Sequence, residues 1–169
     1  MKLFGMCLIL LSALAGARRY LGLRGERLRA LDSLCRMLEQ LLGELETRRA
    51  PLPEIAGALG PKSEGAAGHF LEELAARLAL LGEVDFQTIW SGCAAQTLGA
   101  LEEAERREVE RLGAILGRYG LGRQCEAVRD CLTFLRGRRD QCEQELARRR
   151  GLAYGLAMSG GALLVIVLM

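Results

Sequence analysis

His69 is the only histidine in this chain of 169 residues, which removes most schemes in which an imidazole acts as general base or holds a metal. It is expected to cap a helix or line the core. The cysteines are the other candidates for chemistry: Cys7, Cys35, Cys93, Cys125, Cys131 and Cys142. A structural zinc site asks for thiolate pairs at C-x2-C spacing, whereas Cys125, Cys131 and Cys142 are separated by six and eleven. Nor do the six show the paired spacing of a disulfide framework. They read as reduced thiols, with Cys131 and Cys142 as small core side chains on one helical face. The stretch LGAILGRYGLG is rich in glycine but lacks the Lys-Ser/Thr of a phosphate loop and any preceding strand. It reads as a helix end and a loop. No catalytic, cofactor-binding or metal-binding residue is expected, and the chain is not expected to be an enzyme.

The elements around these residues are all helical. Leu28, Leu31, Leu34, Leu38, Leu41 and Leu45 recur at steps of three and four, which places them on one stripe of a long amphipathic helix. Pro51 and Pro53 cannot continue it, and Pro53 with Glu54 suits the first turn of a short helix that Pro61 closes. Phe70, Leu74, Leu78 and Leu81 share a face of the next helix, which Gly82 stops. Asp85 is placed to cap a fourth, whose inner face carries Phe86, Ile89, Trp90 and Cys93. A charged helix over 102–118 bears Val109, Leu112, Ile115 and Leu116, and a last one from about Arg123 aligns Val128, Cys131, Leu135, Cys142 and Leu146. No alternating run long enough for a strand interrupts them. The expectation is an all-α bundle of about six helices packed antiparallel. Pairs such as Glu102 with Arg106 read as solvated helix surface.

Both ends of the chain differ from this middle. Residues 151–169 carry no charge, and residues 3–17 are an uncharged run between Lys2 and the pair Arg18, Arg19. At 1.5 Å per residue, a helix of about 20 apolar residues crosses a bilayer core of roughly 30 Å. The terminal segment nearly meets that length, and Tyr20 with the arginine stems extends the shorter one. Ala15-Gly16-Ala17 also resembles a signal-peptide cleavage site, which would leave an extracytoplasmic domain tethered by a C-terminal anchor. Arg18 and Arg19 directly after it oppose translocation, however, so an uncleaved anchor is expected. Arg148, Arg149 and Arg150 precede the second segment, so both basic flanks face the middle of the chain, which should stay in the cytoplasm. The expected organisation is an anchor over 1–20, a helical domain over 21–150 and a transmembrane helix over 151–169. Small residues repeat every four along that helix, as Gly151, Gly155 and Ser159 and as Ala153, Ala157 and Gly161, a pattern suited to close helix packing on itself or on a neighbour, including a second copy.

Setting aside Lys2, Arg18 and Arg19 leaves 20 basic residues against 21 acidic. A nucleic-acid surface would show a clustered basic excess, and none is seen.

The N-terminal anchor closed by ARRY and followed by RLRALDSLCRMLEQLLGELETRRAPLPEIAGAL is similar to the opening of the stage III sporulation protein AB family. The resemblance continues through Pro51 and Pro53, a phenylalanine and acidic helix leading to Trp90, and the Leu-Gly-x-x-Leu-Gly stretch Leu112, Gly113, Leu116 and Gly117 with its trailing Gln124, and it ends in SGGALLVIVLM. Relatives commonly carry a Ser/Asp pair after the second Leu-Gly, where this chain has Arg118, Tyr119 and Gly120. The resemblance implies a membrane protein of the mother cell, in the outer forespore membrane, belonging with the other stage III sporulation proteins to a channel or secretion-like complex. It also implies a cytoplasmic domain similar to the helical domain of type II secretion platform protein F, docking a secretion-type ATPase.

Overall fold

The structure is a computed structural model that describes the side chains of residues 25–148, apart from 48–50, 80–81 and 117, and the helical backbone alone of residues 2–24 and 149–168. Its element order is α1 (Lys2–Thr47), α2 (Leu52–Leu59), α3 (Gly65–Arg77), α4 (Phe86–Thr97), α5 (Glu103–Leu116) and α6 (Leu121–Leu168). Short 3-10 turns at Gly60–Lys62 and Leu78–Leu80 follow α2 and α3. The fold is therefore all-α, with six helices and no sheet among the described residues.

Local chemistry accounts for most of the breaks. Pro51 sits just outside α2 in extended conformation with φ −62 and ψ 143, and Pro53 lies in its first turn, where no amide hydrogen is needed. Glu54 in the same turn faces the positive end of the helix dipole. The chain leaves the turn after α3 through Gly82, whose φ of 116 is open to glycine and costly for other residues. Asp85 occupies the N-cap position of α4 with extended backbone, as expected, but its side chain makes no capping hydrogen bond.

Two compact units divide the chain, residues 1–25 with 140–169 and residues 26–139. In the first, Cys142 and Leu146 are buried. The second holds the larger core. Leu31, Leu34, Leu38, Leu41 and Leu45 of α1 are all buried, as the periodicity requires, and Leu28 at the end of the stripe is half-buried. They meet Phe70, Leu71 and Leu74 of α3, Ile89 and Trp90 of α4, Val109 and Leu112 of α5, and Val128 and Leu135 of α6 in one apolar interior. Each such side chain contributes about 1.5–3 kcal/mol when fully buried. A void in it lined by Met37, Ile55, Leu71 and Trp90 measures about 10 Å³ and has an apolar lining, too little for more than a single water.

Polar contacts set the register of α1 against its neighbours. Ser33 Oγ donates to the Ala30 carbonyl at 2.9 Å and accepts the Ala67 amide of α3 at 3.4 Å. Along α6 the pairing is electrostatic: Asp32 faces Arg139 at 3.8 Å, Glu39 faces Arg136 at 2.7 Å, and Glu46 pairs with Arg129. Numbers rise on one helix as they fall on the other, so in this unit α1 and α6 run antiparallel. The acidic residues recur every seven positions, the spacing of flanking ion pairs in a coiled coil.

Among the described residues no helix is long and apolar enough to cross a membrane. The two expected spans, 1–20 and 151–169, and the packing residues Gly151, Gly155, Ser159 and Gly161 lie outside the described side chains, as does Gly117.

Candidate functional site

The residues singled out by motif converge on two places. Trp90 of α4 is buried, and its indole Nε1 donates to the Val109 carbonyl of α5 at 2.7 Å. Phe70 meets its ring edge-on with centroids 4.8 Å apart, and Phe86 lies at 5.8 Å. The indole rests directly on the backbone of α5 at Gly113: a Cβ there would lie 2.2 Å from Trp90 Cδ1. The first Leu-Gly step of the stretch thus exists for contact, with Leu112 facing the core and Gly113 admitting the ring. At the far end of α5, Gln124 Nε2 donates to the Leu116 carbonyl at 3.1 Å, which the helix end leaves without an intrahelical donor, and to the Tyr119 carbonyl in the turn beyond it at 2.6 Å. Pro51 and Pro53 are exposed at the start of α2, remote in role from both.

A third cluster was not anticipated. Glu105 is completely buried, yet it lies on the apolar stripe of α5 one turn before Val109. Its carboxylate takes Arg27 of α1 through Nη2 and, at 3.3 Å, through Nε, and Arg138 of α6 through Nε at 3.2 Å. It also accepts the Glu102 amide at 2.9 Å, the reciprocal half of a capping box at the start of α5. Glu102 binds the same two arginines, Arg27 directly and Arg138 at 2.5 Å. The solvated Glu102 and Arg106 pair expected from spacing is therefore not what forms. Arg106 pairs with Glu103 and, at 3.5 Å, with Glu110, while Glu102, still half exposed, pairs with two guanidinium groups from other helices. An acid on an otherwise apolar stripe, three residues after another acid at a helix start, was the available signal.

His69 does not line the core. Its side chain is 77% exposed beside Glu72, with Nδ1 at 3.9 Å, because α3 turns Phe70 inward and the neighbouring position outward. The thiols of Cys35, Cys93, Cys125, Cys131 and Cys142 are free and buried. Burial pushes Cys131 up to about 12, with Glu108 and Cys35 adding to it, and Cys35 up to about 11 against the opposing pull of Arg139 and Arg136. Cys93 is raised by the same desolvation. Such thiols are poor nucleophiles and poor metal ligands. No group of His, Cys, Asp or Glu side chains among the described residues is arranged to hold a metal ion.

What the arrangement provides is three contacts tying α5 to its neighbours, and no reacting centre is built from them. A family model for stage III sporulation protein AB matches residues 2–169. The chain belongs to the stage III sporulation protein AB family. This family member also resembles a solved structure of stage III sporulation protein AB, with a TM-score of 0.65 and 19% identity, over 72% of this chain and 97% of that one. At that identity the likeness concerns the fold. No curated protein matches the chain.

Proposed function

We propose that this stage III sporulation protein AB family member is an assembly platform rather than an enzyme, held at the mother-cell membrane by anchors over 1–20 and 151–169, with residues 21–150 cytoplasmic and docking a secretion-type ATPase. The observation that carries this reading is the Arg27, Glu102, Glu105 and Arg138 cluster. It brings the start of the domain on α1 and its end on α6 to one place, which suits a chain anchored at both extremities in one membrane. The free buried thiols suit a reducing compartment. The resemblance to the helical domain of secretion platform protein F supplies the ATPase, and it is fold-level analogy.

The test is retention of purified sporulation ATPase by the full-length protein in nanodiscs, read alongside turnover assays. Stable capture without any reaction catalysed by this chain is expected, and failure to retain any component of the sporulation complex would overturn the platform role.

A further inference from the structure

Within residues 26–139, arginine side chains are consistently neutralised: Arg27, Arg77, Arg106, Arg129, Arg136 and Arg138 each meet a carboxylate. Among the described residues of this unit, Arg118 and Arg123 do not, and they flank one corner between α5 and α6. Between them stands Tyr119, 48% exposed and the most exposed of the large apolar side chains described. The Arg123 guanidinium carbon lies 5.4 Å from the Tyr119 ring centroid, within cation–π range. Gln124 braces the corner backbone through the Leu116 and Tyr119 carbonyls.

These features describe a prepared contact rather than idle surface. Tyrosine and arginine are, with tryptophan, enriched among the side chains that dominate binding energy at interfaces. A corner already held in place loses little freedom when a partner arrives. Two unneutralised guanidinium groups select for carboxylates, since opposite charge steers the encounter and rejects basic surfaces. The basic island is too narrow for a nucleic-acid backbone, which takes several phosphate contacts, and Glu126 is exposed on the following turn. Because α1 and α6 run antiparallel, the corner lies at the end of the unit away from the Arg27 and Arg138 cluster. This inference deepens the platform reading above, in which the unit is cytoplasmic.

We infer that the α5–α6 corner at Arg118, Tyr119 and Arg123 is the point through which the central domain docks an acidic protein surface. The full-length chain in nanodiscs is titrated with a short fluorescein-labelled peptide of repeating Glu-Glu-Leu, read by anisotropy. Arg118→Glu with Arg123→Glu weakens binding at least about tenfold, and Tyr119→Ala weakens it about threefold or more. Arg107→Glu, at an exposed arginine already paired with Glu103, leaves it unchanged. Emission of Trp90 verifies that each variant is folded, and Arg118→Gln with Arg123→Gln replaces the reversal should that fail to fold. Equal binding by wild type and the double variant overturns the inference. So does absence of binding by wild type, or a corner-dependent preference for phosphatidylglycerol vesicles or an oligonucleotide over the peptide. The sporulation ATPase separates this from the platform role. If wild type and the reversed corner retain it equally, the corner proposal falls and the platform stands. If neither retains it, nor any other component of the sporulation complex, while the peptide depends on the corner, the platform falls and the corner stands.

Discussion

At the residue scale, Trp90 and Gly113 form a single device whose parts fail together. Gly113→Ala places a methyl group inside the indole's contact distance, and neither the α5 backbone nor a ring bonded to the Val109 carbonyl can retreat cheaply. We expect a loss of about 1–3 kcal/mol, the usual range for overpacking, with a red shift in emission, because Trp90 is the chain's only tryptophan. Unchanged emission and an unchanged urea midpoint would show that the contact is slack. The buried thiols make a second prediction. Cys35 and Cys131 keep their protons to about 11 and about 12 when folded, against 9.0 when solvated. Between those values the unfolded chain releases protons that the folded chain retains, so stability is full below pH 9 and declines as pH rises above it. Thermal melts from pH 8 to 11 should fall accordingly, and Cys35→Ala with Cys131→Ala should flatten the slope.

Among elements, burial decides which ion pairs matter. The Glu39–Arg136 pair joins α1 to α6 with both side chains about half in water. Arg136→Ala should cost less than about 1 kcal/mol in a denaturation series, as exposed pairs usually do. Glu105 has no exposure, and Glu105→Gln removes the buried one of the two carboxylates that Arg27 meets, where the Arg27 side chain is only 12% exposed, leaving it Glu102 at the surface. A loss of about 3 kcal/mol is expected, near the low end for breaking a buried pair, because Arg138 stays 30% exposed and can rehydrate. Equal costs for the two variants would mean that the cluster is as solvated as the seam. The seven-residue repeat of Asp32, Glu39 and Glu46 therefore specifies orientation and register more than stability. It was present in the sequence, though periodicity alone could not say which helix would answer it.

For the whole molecule, the expected arrangement makes one prediction that separates it from a signal-peptide reading. N-terminal sequencing of the protein recovered from sporulating cells should return Met1, whereas a start at Arg18 would place the domain outside the cytoplasm. The helices themselves were legible residue by residue, because an apolar side chain every three or four positions can be buried in only one regular way, and proline and glycine interrupt it at identifiable points. The same pattern placed Trp90, Leu112, Cys131 and Cys142 on inner faces, and all four are buried, whereas Gln124 was marked only by the family resemblance. It could not foretell that Gly113 yields to an indole, that Glu105 draws arginines from both ends of the domain, or that His69 points to water. Local periodicity depends on neighbours in the chain, and so it is written there. Which charge finds which partner depends on the distance between helices remote in sequence and on the water excluded between them, and only packing decides that.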